Sequence, residues 1–130
     1  VDQLNRGGVR VSLFIEPSRD AIDAAASIQA PVIELHTGAW CHAREVGDFN
    51  RADHEFERIA QAVEYAAKKG IEVHAGHGLD YDTARQISAL GKIAELNIGH
   101  FLIGEAVFVG LSQAVHQMRC AIREGQASLS

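Results

Sequence analysis

Ile71-Glu-Val-His-Ala-Gly-His-Gly-Leu79 and, after a helical stretch from about Tyr81 to Leu90, Ile93-Ala-Glu-Leu-Asn-Ile-Gly-His100 carry the pattern that decides the fold. Each is a short alternating run that ends in glycine and histidine, and the residues between them recur at helical spacing, which reads as strand, turn, helix, strand. The same unit appears twice more upstream. Val9-Arg-Val-Ser-Leu-Phe-Ile-Glu16 alternates with period two and stops at Pro17, after which Ser18 opens a run with Ile22, Ala25, Ala26 and Ile28 at helical spacing. Val32-Ile-Glu-Leu-His-Thr37 follows, then a long polar loop containing Trp40, Cys41 and His42. The next helix carries Phe56, Ile59, Ala60, Val63 and Ala67 on one face, with Asn50 as its expected N-cap and Gly70 as its stop. Downstream, an apolar segment from Phe101 leads into a last helix from about Leu111 to Glu124, with Gly125 behind it.

Four strand-helix units in 130 residues are about 32 residues each, and strands alternating with helices imply a parallel sheet covered by helices. Eight such units make the (β/α)8 TIM barrel of roughly 250 residues. The chain therefore reads as α/β, a single domain over residues 1–130 that supplies about four βα units, half of a barrel. It begins without Met a few residues before its first strand, as a chain cut between units would. A four-stranded doubly wound sheet has the same spacing.

Composition narrows the function. Twelve basic against 17 acidic residues give a net charge of −5, and the basic residues form no run, which argues against nucleic acid as a partner. The most apolar stretch, Phe101 to Leu111, is short and contains Glu105, so it does not suit a bilayer. No signal peptide is visible. Cys41 and Cys120 lie far apart, which fits reduced thiols in a cytoplasmic protein.

The strand parity adds a second clue. If Val9, Val11, Leu13, Ile15, Ile33, Leu35, Ile71, Val73, Ala94, Leu96 and Ile98 face the helices, the other parity carries Arg10, Ser12, Glu16, Glu34, His36, Glu72, His74, Glu95 and Asn97. Barrel interiors are ordinarily branched and apolar, so this polar set suggests chemistry reaching inward. The plainer reading places Glu72 and Glu95 at the amino-terminal mouth, solvated or paired to Arg10 and Lys92.

Barrel sites lie at the carboxyl ends of the strands, where His77, Gly78, Gly99 and His100 fall. Glycines let backbone N–H groups approach phosphate oxygens, and the segment from Phe101 offers a helix N-terminus that favours an anion. His77, between two glycines, is the best general acid or base, since imidazole titrates near neutral pH. A turn histidine bonded to backbone is the plain alternative. His74 and His77, with Glu34 or His36, have a spacing compatible with a metal, but one such pair is a poor metal signature and the glycines favour an anion. His42, His54 and His116 read as surface histidines, and Trp40 as a loop anchor or a lid. Gly104 and Gly110 interrupt the apolar segment, either for close packing or within a patch used for self-association.

Ile71-Glu-Val-His-Ala-Gly-His-Gly-Leu79, Glu95-Leu-Asn-Ile-Gly-His100, Ile103-Gly104, Glu34-Leu-His-Thr-Gly38 and Val11-Ser-Leu-Phe-Ile15 together resemble the pyridoxine 5'-phosphate synthase family. The resemblance covers nearly the whole chain and corresponds to the carboxyl-terminal half of that family's barrel. It implies a cytoplasmic enzyme of vitamin B6 synthesis that condenses 1-deoxy-D-xylulose 5-phosphate with 3-amino-2-oxopropyl phosphate, releasing phosphate and water. It implies no metal or redox cofactor, because histidines and glutamates can serve condensation, proton shuttling and dehydration. By resemblance His77 is the proton donor, Gly78, Gly99 and His100 bind phosphorylated substrate, and Glu34 lines the site. The resemblance also implies a homo-oligomer, an octamer of barrels. The family's other catalytic histidine and its general-base glutamate belong to the amino-terminal half and match no residue here. A non-catalytic phosphate-binding or assembly half-barrel is the alternative if the chain is only 130 residues long.

Overall fold

Four parallel strands, β1 (Ser12–Ile15), β2 (Val32–His36), β3 (Glu72–Gly76) and β4 (Ile93–Asn97), form one sheet in the order β1-β2-β3-β4. The computed structural model describes residues 1–129; Ser130, the last residue of the expected domain, lies outside the described residues. The strand order never reverses, so the sheet has no topological switch point of the doubly wound kind. Right-handed crossovers repeated in one direction place the connecting helices on one face.

Those connections are α2 (Arg19–Ser27), then α3 (Gly38–Glu45) with α4 (Phe49–Lys68), then α5 (Tyr81–Ser88). Ile22, Ile59, Val63 and Ile87 from the helices meet Ile33, Leu35, Val73 and Ala75 from the strands in one buried core. α6 (His100–Val109) and α7 (Leu111–Ala127) follow β4, and α1 (Asp2–Arg6) precedes β1. Ser18 caps α2 as expected, its hydroxyl accepting from the Ala21 N–H at 3.3 Å. Asp80 caps α5 in a reciprocal box with Thr83. Among the described residues, no helix is long and apolar enough to cross a membrane.

Several local expectations are corrected. The segment with Trp40, Cys41 and His42 is helix α3, not a loop. Its N-cap, Thr37, makes no side-chain cap bond, so the usual start signal is missing; burial of Trp40, Cys41 and Ala43 holds the helix instead. Trp40 is an anchor, its ring 5.0 Å from that of Phe56. The cap of α4 is Asp48, not Asn50: its carboxylate accepts from the Arg51 N–H at 3.1 Å. Both residues are good caps, and the one used follows directly on the positive-φ residue Gly47, φ +75. Lys92 pairs with Glu64 at 2.7 Å, while Glu72 pairs with Arg10 at 2.6 Å. A register shift pairs Val73 with Ile93 but His74 with Glu95, leaving Ala94 as the extra residue. Ile93, not Ala94, therefore packs against the core with Leu96 and Ile98. α1 is not legible in the sequence, because it buries no residue and therefore has no apolar stripe to show.

Gly125 does not end the last helix but lies within α7, on the face packed against α5. A Cβ there would run into the carbonyl oxygen of Arg85, with the Ser88 Cβ 3.0 Å away. The glycine allows close helix approach, and Arg85 closes the contact by donating from Nε to Glu124 at 2.8 Å. Gly125→Ala should therefore destabilise the protein by about 1–3 kcal/mol through overpacking, read as a lower midpoint in thermal or urea unfolding. An unchanged midpoint would contradict this packing. Burial pushes the Cys41 thiol up to about 11. It therefore stays protonated at mildly alkaline pH, and iodoacetamide followed by peptide mass spectrometry should label the less buried Cys120 and spare Cys41.

Candidate functional site

The carboxyl ends of the strands open into a cavity of about 1060 Å³ lined by Phe14, Glu34, Gly38, Cys41, His77, Gly78, Asn97, Gly99 and His100, with His42, Arg44 and Asp80 at its side. Parallel strands point their last carbonyls and following loops to one edge of the sheet, so residues from four separate units converge there. His77, Gly78, Gly99, His100 and Glu34, the residues singled out in the sequence, all line this one cavity.

Glu34 reaches across the neighbouring strand. In register Glu34 lies beside His74, and His36 beside Gly76, which on its other side lies beside Asn97. The Glu34 carboxylate leans along β2 and accepts from the Asn97 amide of β4 at 2.8 Å. It passes over Gly76, where a Cβ would collide with its Oε1. Gly76 thus leaves the space a carboxylate needs to cross β3.

Thr37 fixes the loop that carries His77. It is fully buried; its N–H donates to the Gly76 carbonyl at 2.9 Å, and its hydroxyl lies 2.7 Å from the carbonyls of both Gly76 and His77. With the hydroxyl shared in this way, the end of β3 and the following turn are bound to the end of β2. The turn uses left-handed backbone at two successive residues, His77 (φ +80) and Gly78 (φ +85). Such a conformation is uncommon for a residue with a Cβ and needs a surrounding structure that over-determines it. A Cβ on Gly78 would lie 3.0 Å from the Cβ of Cys41, so α3 closes that side. The exposed His77 ring stands edge-on to His36, centroids 4.8 Å apart, with Phe14 at 6.4 Å.

Gly99 is the N-cap of α6, makes no side-chain cap bond and has open space where a side chain would stand. The first N–H groups of this ten-residue helix therefore have no side-chain acceptor from the N-cap residue, and His100 is its first residue. Backbone donors and the positive end of the helix dipole together favour an anion at this wall of the cavity. Phe101 packs edge-on against Tyr81, centroids 4.7 Å apart, tying the start of α6 to α5.

His74 points into a different neighbourhood from His77. Its Nε2 lies 2.8 Å from Glu72 and its Nδ1 3.7 Å from Glu95. Among the described residues, no group of three or more His, Cys, Asp or Glu side chains is placed to hold a metal ion. Phe14, Gly38, Thr37 and Gly76 are parts of this site that were not legible as such in the sequence. Phe14 and Thr37 read as ordinary strand residues; for the glycines the available signal was the Thr37-Gly38 and Ala75-Gly76 placement at strand ends. His42, expected on the surface, is exposed as a surface residue is, and also borders the cavity.

Residues 1–124 match the family model described as pyridoxal phosphate biosynthesis protein PdxJ. A pyridoxine 5'-phosphate synthase of Xanthobacter autotrophicus is 54% identical over 129 residues, covering 99% of this chain and 50% of that protein. Those of Rhodospirillum rubrum and Caulobacter vibrioides are 54% and 50% identical, each over 98% of this chain and 52% and 50% of their own lengths. The chain spans about half the length of the curated relatives it matches. It belongs to the PdxJ family of pyridoxal phosphate biosynthesis proteins.

Proposed function

We propose that this chain is the carboxyl-terminal half, as one domain over residues 1–130, of a (β/α)8 barrel with pyridoxine 5'-phosphate synthase activity. The observation that carries the reading is the convergence of His77, Glu34, Gly78 and the Gly99 end of α6 on one cavity at the carboxyl ends of four parallel strands. The unreversed strand order, with helices on one face and a largely polar opposite face, supports the barrel.

In this reading 1-deoxy-D-xylulose 5-phosphate and 3-amino-2-oxopropyl phosphate condense to pyridoxine 5'-phosphate, with loss of phosphate and water. Ring closure requires amine-ketone condensation and dehydration, in which a departing hydroxyl must be protonated. His77 donates that proton, since it is an exposed imidazole at the end of β3 on the cavity wall and its ring is braced by His36. Gly78, Gly99 and His100 hold phosphate through backbone N–H groups and the α6 N-terminus. Glu34, held by Asn97, faces the amine or the developing iminium. The chemistry is acid-base throughout and uses no cofactor. The partners are small phosphorylated substrates and other copies of the protein, in a homo-oligomer that is octameric by resemblance, at a cytoplasmic location. Self-association is supported by α6, which buries no residue in this chain and leaves Val107 and Phe108 77% and 86% exposed. No side chain packs where a Cβ of Gly104 would stand, so close packing within the chain does not account for that glycine.

His77→Ala in the full-length protein should lower turnover of the two substrates by about 10²–10⁴-fold, the usual contribution of a positioned general acid. Inorganic phosphate should bind with little change. Retained turnover would remove His77 from the chemistry, and phosphate binding without product in the unmodified protein would favour the non-catalytic half-barrel. Gly99→Asp places a carboxylate at the N-cap of α6, where it suits the helix but competes with an anion. Calorimetric titration should then show phosphate affinity at least about tenfold weaker, on the order of 1.4 kcal/mol, with the melting midpoint held or raised. Unchanged affinity would move the phosphate site elsewhere.

A further inference from the structure

The cavity's electrostatics do not end at the residues that line it. Behind His77 stands His36, at the end of β2, and behind His36 stands a carboxylate from the segment after β1. His36 Nδ1 lies 2.9 Å from Glu16 Oε1, and the other Glu16 oxygen accepts from Arg58 Nη2 of α4 at 2.9 Å. Arg58 Nε lies 3.4 Å from Glu55, a largely buried residue one turn earlier on the same helix. Three separate elements therefore meet in a line that runs from α4 to the cavity wall.

We propose that His36 is a positioning residue for His77, with Glu16 and Arg58 fixing its tautomer and ring plane. The inference rests on the reading of His77 as proton donor. An ionised carboxylate can only accept, so the Glu16 bond requires the proton of neutral His36 to sit on Nδ1 and leaves Nε2 bare. The bond from His36, with Arg58 on the second oxygen, holds the Glu16 carboxyl below its ordinary value, so the acceptor stays ionised. The orienting effect passes to His77 through packing. The two rings are 4.8 Å apart and inclined at 66°, and Phe14 stands edge-on to His36 at 5.1 Å, inclined at 72°.

Gly38 shows how closely the pair is seated. A Cβ built there would lie 2.7 Å from His36 Nε2 and 2.8 Å from His77 Cδ2, so both rings occupy the space a side chain would take. Because His77 sits on an exposed left-handed turn with glycine on either side, its own backbone neighbours give its ring no side-chain wall. His36 and Phe14 supply that wall. If His36 turns, the proton donor loses its orientation while the phosphate-binding loops stay in place.

The test uses Glu16→Ala and Glu16→Gln in the full-length protein, since glutamine keeps an oxygen that can accept from Nδ1–H. In Glu16→Ala, long-range ¹H–¹⁵N imidazole spectra should show His36 leaving the single Nδ1–H tautomer. The kcat should fall about tenfold with KM within about twofold, as expected for a misaligned catalytic group. Glu16→Gln should recover the tautomer and most of the lost kcat. An unchanged His36 tautomer in Glu16→Ala, or an equal loss in both variants, would overturn the proposal. The tautomer is read without turnover. A His77→Ala protein that keeps its activity would therefore defeat the proton-donor reading, while the spectra would still report whether Glu16 fixes His36.

Discussion

Repetition of a strand-helix-strand crossover in a single direction is the constraint on which this structure depends. Each step puts its helix on the same face, so the core forms between that face and the helices, from Ile33, Leu35, Val73 and Ala75 against Ile22, Ile59, Val63 and Ile87. The other face is then free to carry Glu34, His36, Glu72, His74, Glu95 and Asn97. Its charges are met locally: Glu72 by Arg10 and His74, Glu34 by Asn97. Burial of unpaired carboxylates would be costly, and in this arrangement each keeps a partner or contact with solvent.

Within that frame the site is shaped as much by missing side chains as by present ones. Gly76 lets the Glu34 carboxylate cross β3, and Gly38 lets two imidazoles stand side by side. Thr37 supplies the complementary restraint. By spending its hydroxyl on the carbonyls at the end of β3, it leaves α3 without a side-chain cap, and the helix is held by buried Trp40 instead. A local rule is broken where the chain fixes the turn of His77, which is the usual place to find such a departure.

α6 shows a different tension. Apart from His100 and Glu105 its ten residues carry no polar side chain, yet none is buried within the chain, and its uncapped N-terminus faces the cavity. Tyr81 against Phe101 anchors its first turn to α5, and α7 folds back on α5 through the close contact at Gly125. The helix is thus fixed at the end that borders the cavity, while Val107 and Phe108 near its far end remain exposed.

The four strands, helices α2, α4, α5 and α7, and the grouping of His77, Gly78, Gly99 and His100 at strand ends were legible in the amino-acid sequence, because period-two and helical apolar spacing and strand-ending glycines are local signals. The motifs also sufficed for the family. Helix α3, the cap at Asp48, the bulge at Ala94 and the role of Gly125 were not legible, since each is settled by what packs against it. The same holds for the line from Arg58 through Glu16 and His36 to His77, whose members lie up to 61 residues apart, from 16 to 77. Sequence alone determined the alternation of elements and which residue types stand at the strand ends. Only the tertiary structure decided which of them touch, because strand register, the left-handed turn at His77 and the space over Gly38 and Gly76 arise from contacts between units that are distant along the chain.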